Sequence, residues 1–255
     1  MITLLRKYGC LFMTVTLLIC GNSRPVFAQD EASRIRDLLT KAQEAYSRTP
    51  YLSFRVNYLY SNEGQPGHPM DSLSGEVEMD KGRWRFVIDG TETVITDKYS
   101  LQIMRDTRSI YLAAAKHKET ANPINMLDSV FAHIDGVKAH LGKEDHQDIV
   151  TLEFPPGQTY STIRIRLDEK TGYFQRISYS LFTEALVGQD MVDRPGHPAP
   201  YQAKGEVDIV FSRYEHGRFG DGLFQEQNYF QKTAGRIEPA GQYKDYHIFL
   251  ANSNL

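Results

Sequence analysis

The chain has 255 residues, 41% of them hydrophobic and 24% charged, with 29 Lys and Arg against 32 Asp and Glu for a net charge of −3 at pH 7. That acidity excludes electrostatic capture of nucleic acid or of an anionic membrane surface, both of which need a basic excess. The length fits one large β domain, since sandwiches and barrels often reach ~200–250 residues undivided.

Arg6 and Lys7 precede an apolar run from Leu11 to Ile19, and Val26-Phe27-Ala28 supplies small residues at cleavage positions. This pattern is that of a cleavable signal peptide over residues 1–28, which implies export to the periplasm. The run is too short to cross a bilayer, which takes roughly 20 residues. Acylation at Cys20 is disfavoured because the residue before it, Ile19, is not small. Cys10 and Cys20 are the only cysteines, so residues 29–255 carry no disulfide, thiol nucleophile or cysteine metal site. Setting aside Arg6, Lys7 and Arg24 leaves 26 basic residues against 32 acidic ones, a net charge of −6.

Glu31 to Ser47 places Ile35, Leu38, Leu39, Ala42, Ala45 and Tyr46 at helical spacing, which predicts an amphipathic helix closed by Pro50. Tyr51–Tyr60 then alternates, with Leu52, Phe54, Val56, Tyr58 and Tyr60 on one face. From Leu73 to Ala113 short alternating runs are separated by Asp80-Lys81-Gly82, Asp89-Gly90, Asp97-Lys98 and Asp106-Thr107-Arg108, the pattern of consecutive antiparallel hairpins. Strands are predicted near 73–79, 83–88, 92–97, 99–105 and 109–113. Pro123–Leu141 changes period, with Ile124, Leu127, Val130, Phe131, Ile134 and Val137 predicting a second helix. Strands resume near 149–154, 162–167, 173–182, 206–214 and 246–250. No low-complexity linker interrupts the run, so 29–255 reads as a single domain.

This order resembles the LolA/LolB-like lipoprotein carriers of the bacterial periplasm. The resemblance is carried by the opening helix, by Gly75–Met79, by Lys81-Gly82-Arg83-Trp84-Arg85-Phe86 and the Thr93–Tyr111 meander, and by Ile163–Leu167, Asp168–Gly172 and Gln175–Tyr179. It implies an α+β fold: a large antiparallel curved sheet, a half-open β-barrel, with the N-terminal helix and the inserted helix covering its concave face. It also implies a hydrophobic cavity that takes a lipid or lipoprotein acyl chain, with no cofactor and no metal.

A cavity of that kind needs more inward apolar surface than the chain itself fills. The candidate lining positions are Phe54, Val56, Tyr58, Val77, Met79, Trp84, Phe86, Val94, Leu101, Ile103, Ile165, Ile177, Tyr179, Ile209 and Phe211. The same residues would equally make an ordinary sealed β core. Arg55, Arg83 and Arg85 alternate with them, which predicts an outer, solvated placement for all three.

Pro66-Gly67-His68-Pro69 before Gly75-Glu76-Val77 is echoed by Pro195-Gly196-His197-Pro198 before Gly205-Glu206-Val207. On this strand count both loops join an odd strand to an even one and share a rim, a possible docking surface for an envelope protein. Two imidazoles alone fall short of the four ligands of a structural zinc site.

No G-x-S-x-G, H-E-x-x-H or phosphate-binding glycine loop is present. His133, His140 and His146 do not share a helical face, and Asp135, Glu144, Asp145 and Asp148 read as a solvated surface. No catalytic residue is expected. Two classes of function remain: a periplasmic binding protein that carries or senses a lipid or lipoprotein acyl chain, or a non-enzymatic interaction module of an envelope complex or stress sensor. A partner-binding arm at Leu186–Lys204 would favour the second.

Overall fold

The computed structural model describes residues 29–115, 136–193, 196, 199–218, 220, 222–233 and 236–251. The expected signal peptide and most of the expected second helix lie outside these residues.

Helix α1 runs Gln29–Arg48. Ile35, Leu39, Ala42 and Tyr46, one stripe at alternating four- and three-residue steps, are all at most 4% exposed. Thr49-Pro50 ends it, because a proline disfavours helical geometry in the residue before it.

Fourteen strands follow among the described residues: β1 Tyr51–Asn62, β2 Asp71–Asp80, β3 Arg83–Ile88, β4 Thr91–Ile95, β5 Tyr99–Met104, β6 Ser109–Ala114, β7 Lys138–Glu144, β8 Gln147–Glu153, β9 Tyr160–Asp168, β10 Phe174–Phe182, β11 Lys204–Glu215, β12 Phe230–Thr233, β13 Arg236–Pro239 and β14 His247–Leu250. Two-residue turns set the tightest hairpins. Lys81 and Gly82 between β2 and β3, and Asp89 and Gly90 between β3 and β4, all have positive φ. That is the type I′ geometry whose twist matches the flanking strands.

Twelve strands form one sheet in the order β14-β6-β5-β4-β3-β2-β1-β11-β10-β9-β8-β7, and β12 pairs with β13 alone. The ladder is open, ending at β14 and β7. The strands pair antiparallel from β2 through β6 and from β7 through β11, whereas β14 lies parallel to β6. The α+β class and the large antiparallel sheet expected from the sequence are observed.

Three strands escape the sequence reading. Residues 138–141, assigned above to the end of a helix, form the start of β7, and His140 is a strand residue. Ile134, Val137 and Leu141 fall at helical spacing, yet only Val137 among the described ones is buried. The β7–β8 turn is Asp145-His146, both at positive φ, so a type I′ hairpin forms without the glycine that usually announces one. β12 and β13 have four residues each, too few to show a period.

The chain divides into two compact units. The first takes the described residues of 1–45, 57–73 and 126–211. Here the Glu31 carboxylate of α1 accepts the Leu141 N–H at 2.9 Å, and Gly172 in the β9–β10 turn abuts Ala42 and Ala45. The second takes the described residues of 46–56, 74–125 and 212–255. Its buried cluster joins Val94, Leu101, Ile103, Ile110 and Leu112 of β4–β6 to Phe224, Tyr229, Phe230 and Tyr243.

The Gly-Glu-Val echo has a packing reason in each copy. A Cβ on Gly75 would lie 2.8 Å from the Val87 carbonyl, and one on Gly205 would fall inside the Tyr60 phenol. In both places a neighbour approaches the backbone too closely for any side chain.

Candidate functional site

Strand registers sort the candidate residues by face. In the second unit Val77 opposes Phe86 and Met79 opposes Trp84. Phe86 opposes Thr93, which opposes Gln102, which opposes Tyr111. Across these registers, from Gly75 to Ala113, this face carries no Asp, Glu, Lys, Arg or His. Phe54 and Val56 belong to it as well, because Arg55 between them reaches the opposite face to bond Glu76 at 2.7 Å. Phe54, Val56, Val77 and Met79 are buried, and Phe54 is wedged against Tyr214 at 5.1 Å between ring centroids. Trp84, Phe86, Ile88, Ile95 and Met104 are only half-buried, and Tyr111 is 42% exposed.

In the first unit Ile177 pairs with Ile165 and with Ile209, and Tyr179 with Ile163 and Val207. Phe211, two residues beyond Ile209, shares that face and packs on Phe174 at 5.5 Å. Ile165, Ile209 and Phe211 are buried, whereas Tyr58, Ile177 and Tyr179 are half-buried. Tyr160 meets Tyr179 edge-on at 5.9 Å. Burial, reinforced by the neighbouring Tyr58 and Tyr160, holds the Tyr179 hydroxyl neutral well above its usual pKa. Burial pushes Tyr58 up to about 12. These tyrosines therefore offer neutral rings with hydroxyl tips, compatible with an apolar ligand.

Val94, Leu101 and Ile103 lie elsewhere. Val94 opposes Arg85 and Leu101, which places them on the reverse face from Trp84. There they are fully buried beneath the aromatic residues of 224–243. They fill a sealed core and leave no surface for a ligand. Of the fifteen candidates, Tyr58, Trp84, Phe86, Ile177 and Tyr179 keep open surface.

That reverse face also changes the arginine reading. Arg83 and Arg85 were expected on a solvated exterior, but Arg83 packs over Phe224 and Arg85 is covered by the C-terminal segment, its side chain 17% exposed. Arg85 donates from Nε to Glu92 at 2.7 Å and from Nη1 to Glu78 at 2.5 Å. The Glu92 carboxylate, 1% exposed, also accepts the Tyr243 hydroxyl at 2.8 Å and lies 3.5 Å from Arg105. Tyr229 stacks on Tyr243 at 5.5 Å and donates its hydroxyl to the Leu223 carbonyl at 2.7 Å. Arg55, by contrast, is exposed at its tip, as expected.

A cleft of about 350 Å³ opens beside this group, lined by Arg85, Glu92, Asn228, Gln242 and the two tyrosines. Burial alone would raise the Glu92 pKa, but the Arg85 bond and charge, then Tyr243 and Arg105, outweigh it and hold the carboxyl below its usual range. Burial and the Glu92 charge raise both tyrosines. A carboxylate saturated with donors is a poor proton acceptor, so this cluster is built to fasten rather than to react. The sequence signal for it was present: Val94, Leu101, Ile103, Ile110 and Leu112 alternate onto one face of β4–β6, an apolar set that requires a cover.

The two echoed loops are met at their bases, where the Glu63 N–H donates to the Lys204 carbonyl at 3.2 Å. The bases of the two loops thus share a rim as expected, although not by the strand count, since β7 makes the second loop an even-to-odd connection. His68 is exposed, and His197 lies outside the described residues, as does His133. Leu186–Lys204 is fastened to itself and to β1: Asp193 donates its N–H to the Tyr201 carbonyl, and Tyr201 packs edge-on against Tyr60 at 5.4 Å. Among the described residues no group of three or more His, Cys, Asp or Glu is placed to hold a metal ion. No described helix is long and apolar enough to cross a membrane.

No family model matches the chain, and no curated protein matches it. Among solved structures it is similar to an uncharacterized conserved protein from Thermus thermophilus, at 10% identity over 85% of this chain and 99% of that one, with a TM-score of 0.48. It is similar to a LolA superfamily protein from Nitrosomonas europaea at 11% identity, 74% and 96% coverage and a TM-score of 0.34. A chain of the Pseudomonas aeruginosa MucA/MucB complex shares 14% identity, 74% of this chain and 59% of that one, with a TM-score of 0.39.

Proposed function

We propose that the protein is a non-enzymatic binding protein, exported to the periplasm and acting as one domain from residue 29, that carries or senses the acyl chain of a lipid or lipoprotein. The observation that carries this reading is the uncharged face bearing Trp84 and Phe86. In a sealed core these side chains would be covered; here they are half-buried, beside an exposed Tyr111. Apolar surface left open and free of charge marks a binding site for apolar matter. Each methylene buried there contributes ~0.8 kcal/mol, so a long chain binds without any polar anchor, and release requires a competing site. Tyr58, Ile177 and Tyr179 supply similar surface in the other unit.

Trp84 is the only tryptophan, which makes the test direct. Titration with palmitate or lysophosphatidylcholine should shift its emission to the blue and saturate, and mass spectrometry of protein purified from the envelope should find bound lipid. Unchanged emission together with lipid-free protein would sink the reading. A second reading, an interaction module, draws on the exposed strand edge at β14, with the His68 loop as a further contact for an envelope protein.

A further inference from the structure

β14 is the last strand of the sheet on one side, and two of its apolar side chains are open: Phe249 is 49% and Leu250 48% exposed. It runs parallel to β6, with Phe249 opposite Tyr111 and their rings stacked at 5.2 Å. His247 and Ala251 spend their N–H groups on the carbonyls of Arg108 and Leu112. In a parallel ladder the alternate residues face the other way, so the N–H and C=O groups of Ile248 and Leu250 are directed away from β6, along the free edge.

An edge of this kind takes an extended strand. Natural edges are commonly blunted by lysine, proline or a bulge. The stretch His247-Ile248-Phe249-Leu250-Ala251 has none of these, and it carries no Asp, Glu, Lys or Arg. We propose that the occupant is the β14 of a second copy of this chain, paired antiparallel across a twofold axis. The outward groups admit registers that pair Ile248 with itself, Leu250 with itself or the two with each other, and the stacked ring of Phe249 selects the last. Ile248 and Leu250 must exchange hydrogen bonds with Leu250 and Ile248 of the other copy, which sets Phe249 against its own symmetry mate.

Three further features suit that register. Phe249 occupies a non-hydrogen-bonded pair, the closer of the two kinds, at about 4.5 Å between Cα atoms. The two Tyr111–Phe249 stacks then join into a row of four rings on the face that bears Phe86. No ionised side chain opposes its like, because Lys244 and Asp245 fall beyond the paired residues. Four-residue strands bury far less than the ~800 Å² per partner of a standard interface, so this dimer is weak and concentration-dependent.

The experiment is disulfide trapping of F249C in the full chain with Cys10 and Cys20 changed to Ser. Cysteines opposed at that spacing fall within the ~4.4–6.8 Å that a disulfide spans, whereas L250C would face its mate diagonally, at ~7–8 Å. F249C should form a covalent dimer at least tenfold faster than L250C. Sedimentation of the unmodified chain should show reversible dimers that L250P abolishes, since that proline removes only an N–H directed away from β6. Circular dichroism of L250P should match that of the unmodified chain, and F249K gives the same reading should L250P misfold. Equal trapping of F249C and L250C overturns the proposal. So does a chain that stays monomeric at all concentrations, including one that instead takes up an added strand-forming peptide.

Discussion

The Glu92 carboxylate receives the Arg85 guanidinium at 2.7 Å while itself 1% exposed, on the face of the sheet where alternation alone would place a solvated arginine. The pair survives burial because Tyr243, Arg105 and Glu78 complete it. Tyr243 belongs to the 222–243 segment, so the charge cluster pins that segment to the sheet.

Removing one member of a buried pair leaves the other uncompensated, at about 3–5 kcal/mol. E92A should lose stability on that scale in urea denaturation. R85M/E92L, which removes both charges and keeps apolar volume, should recover a large part of the loss. A double variant no more stable than E92A would show that the charges are not the coupled element.

The acid limb of stability should carry the signature of Glu92. Its folded pKa lies below the ordinary value of 4.5, so the folded state binds fewer protons than the unfolded one in that range. The stabilisation is therefore complete above about pH 4.5 and declines as pH falls through the depressed value. E92Q should flatten this decline. Asp168, lowered mainly by the Thr171 N–H, leaves a residual slope in the same direction, which D168N should remove.

The two faces of β3–β5 should answer differently to polar substitution. Ile103 is fully buried under the aromatic cover, and I103D should unfold its unit, since an unpaired buried charge costs several kcal/mol. F86S alters a half-buried residue on the open face. It should stay folded by circular dichroism yet bind palmitate at least tenfold more weakly. Equal binding by F86S and the unmodified chain would remove this face from the site.

G205A should lower stability by about 1–3 kcal/mol through overpacking against Tyr60. Y60F should not rescue it, because the ring meets the added methyl as well as the hydroxyl. Thermal melts of the three variants decide this.

Much of the architecture was legible because period-2 runs and two-residue turns are local signals. β3 falls at Arg83–Ile88 as the Lys81-Gly82 and Asp89-Gly90 turns require. β7 was not legible, because Val137 and Leu141 mimic a helical step and Asp145-His146 makes its turn without glycine. The binding face was legible only in part. Alternation groups Trp84 with Phe86, but relating Phe86 to Val94 needs the β3–β4 register, and that register puts them on opposite faces. The cover itself, built from isolated aromatics such as Phe224, Tyr229 and Tyr243, has no period for a sequence pattern to detect.

The sealed cluster of the second unit draws one half from β4–β6 and the other from Phe224, Tyr229, Phe230 and Tyr243. A ribosome delivers these halves far apart in time. Val94, Leu101, Ile103, Ile110 and Leu112 have no cover until residues 224–243, more than a hundred positions later, have been made. Premature termination anywhere before Tyr243 therefore yields a chain whose meander can pair but cannot hide its reverse side. A chaperone that holds nascent chains would find its binding surface on β4–β6.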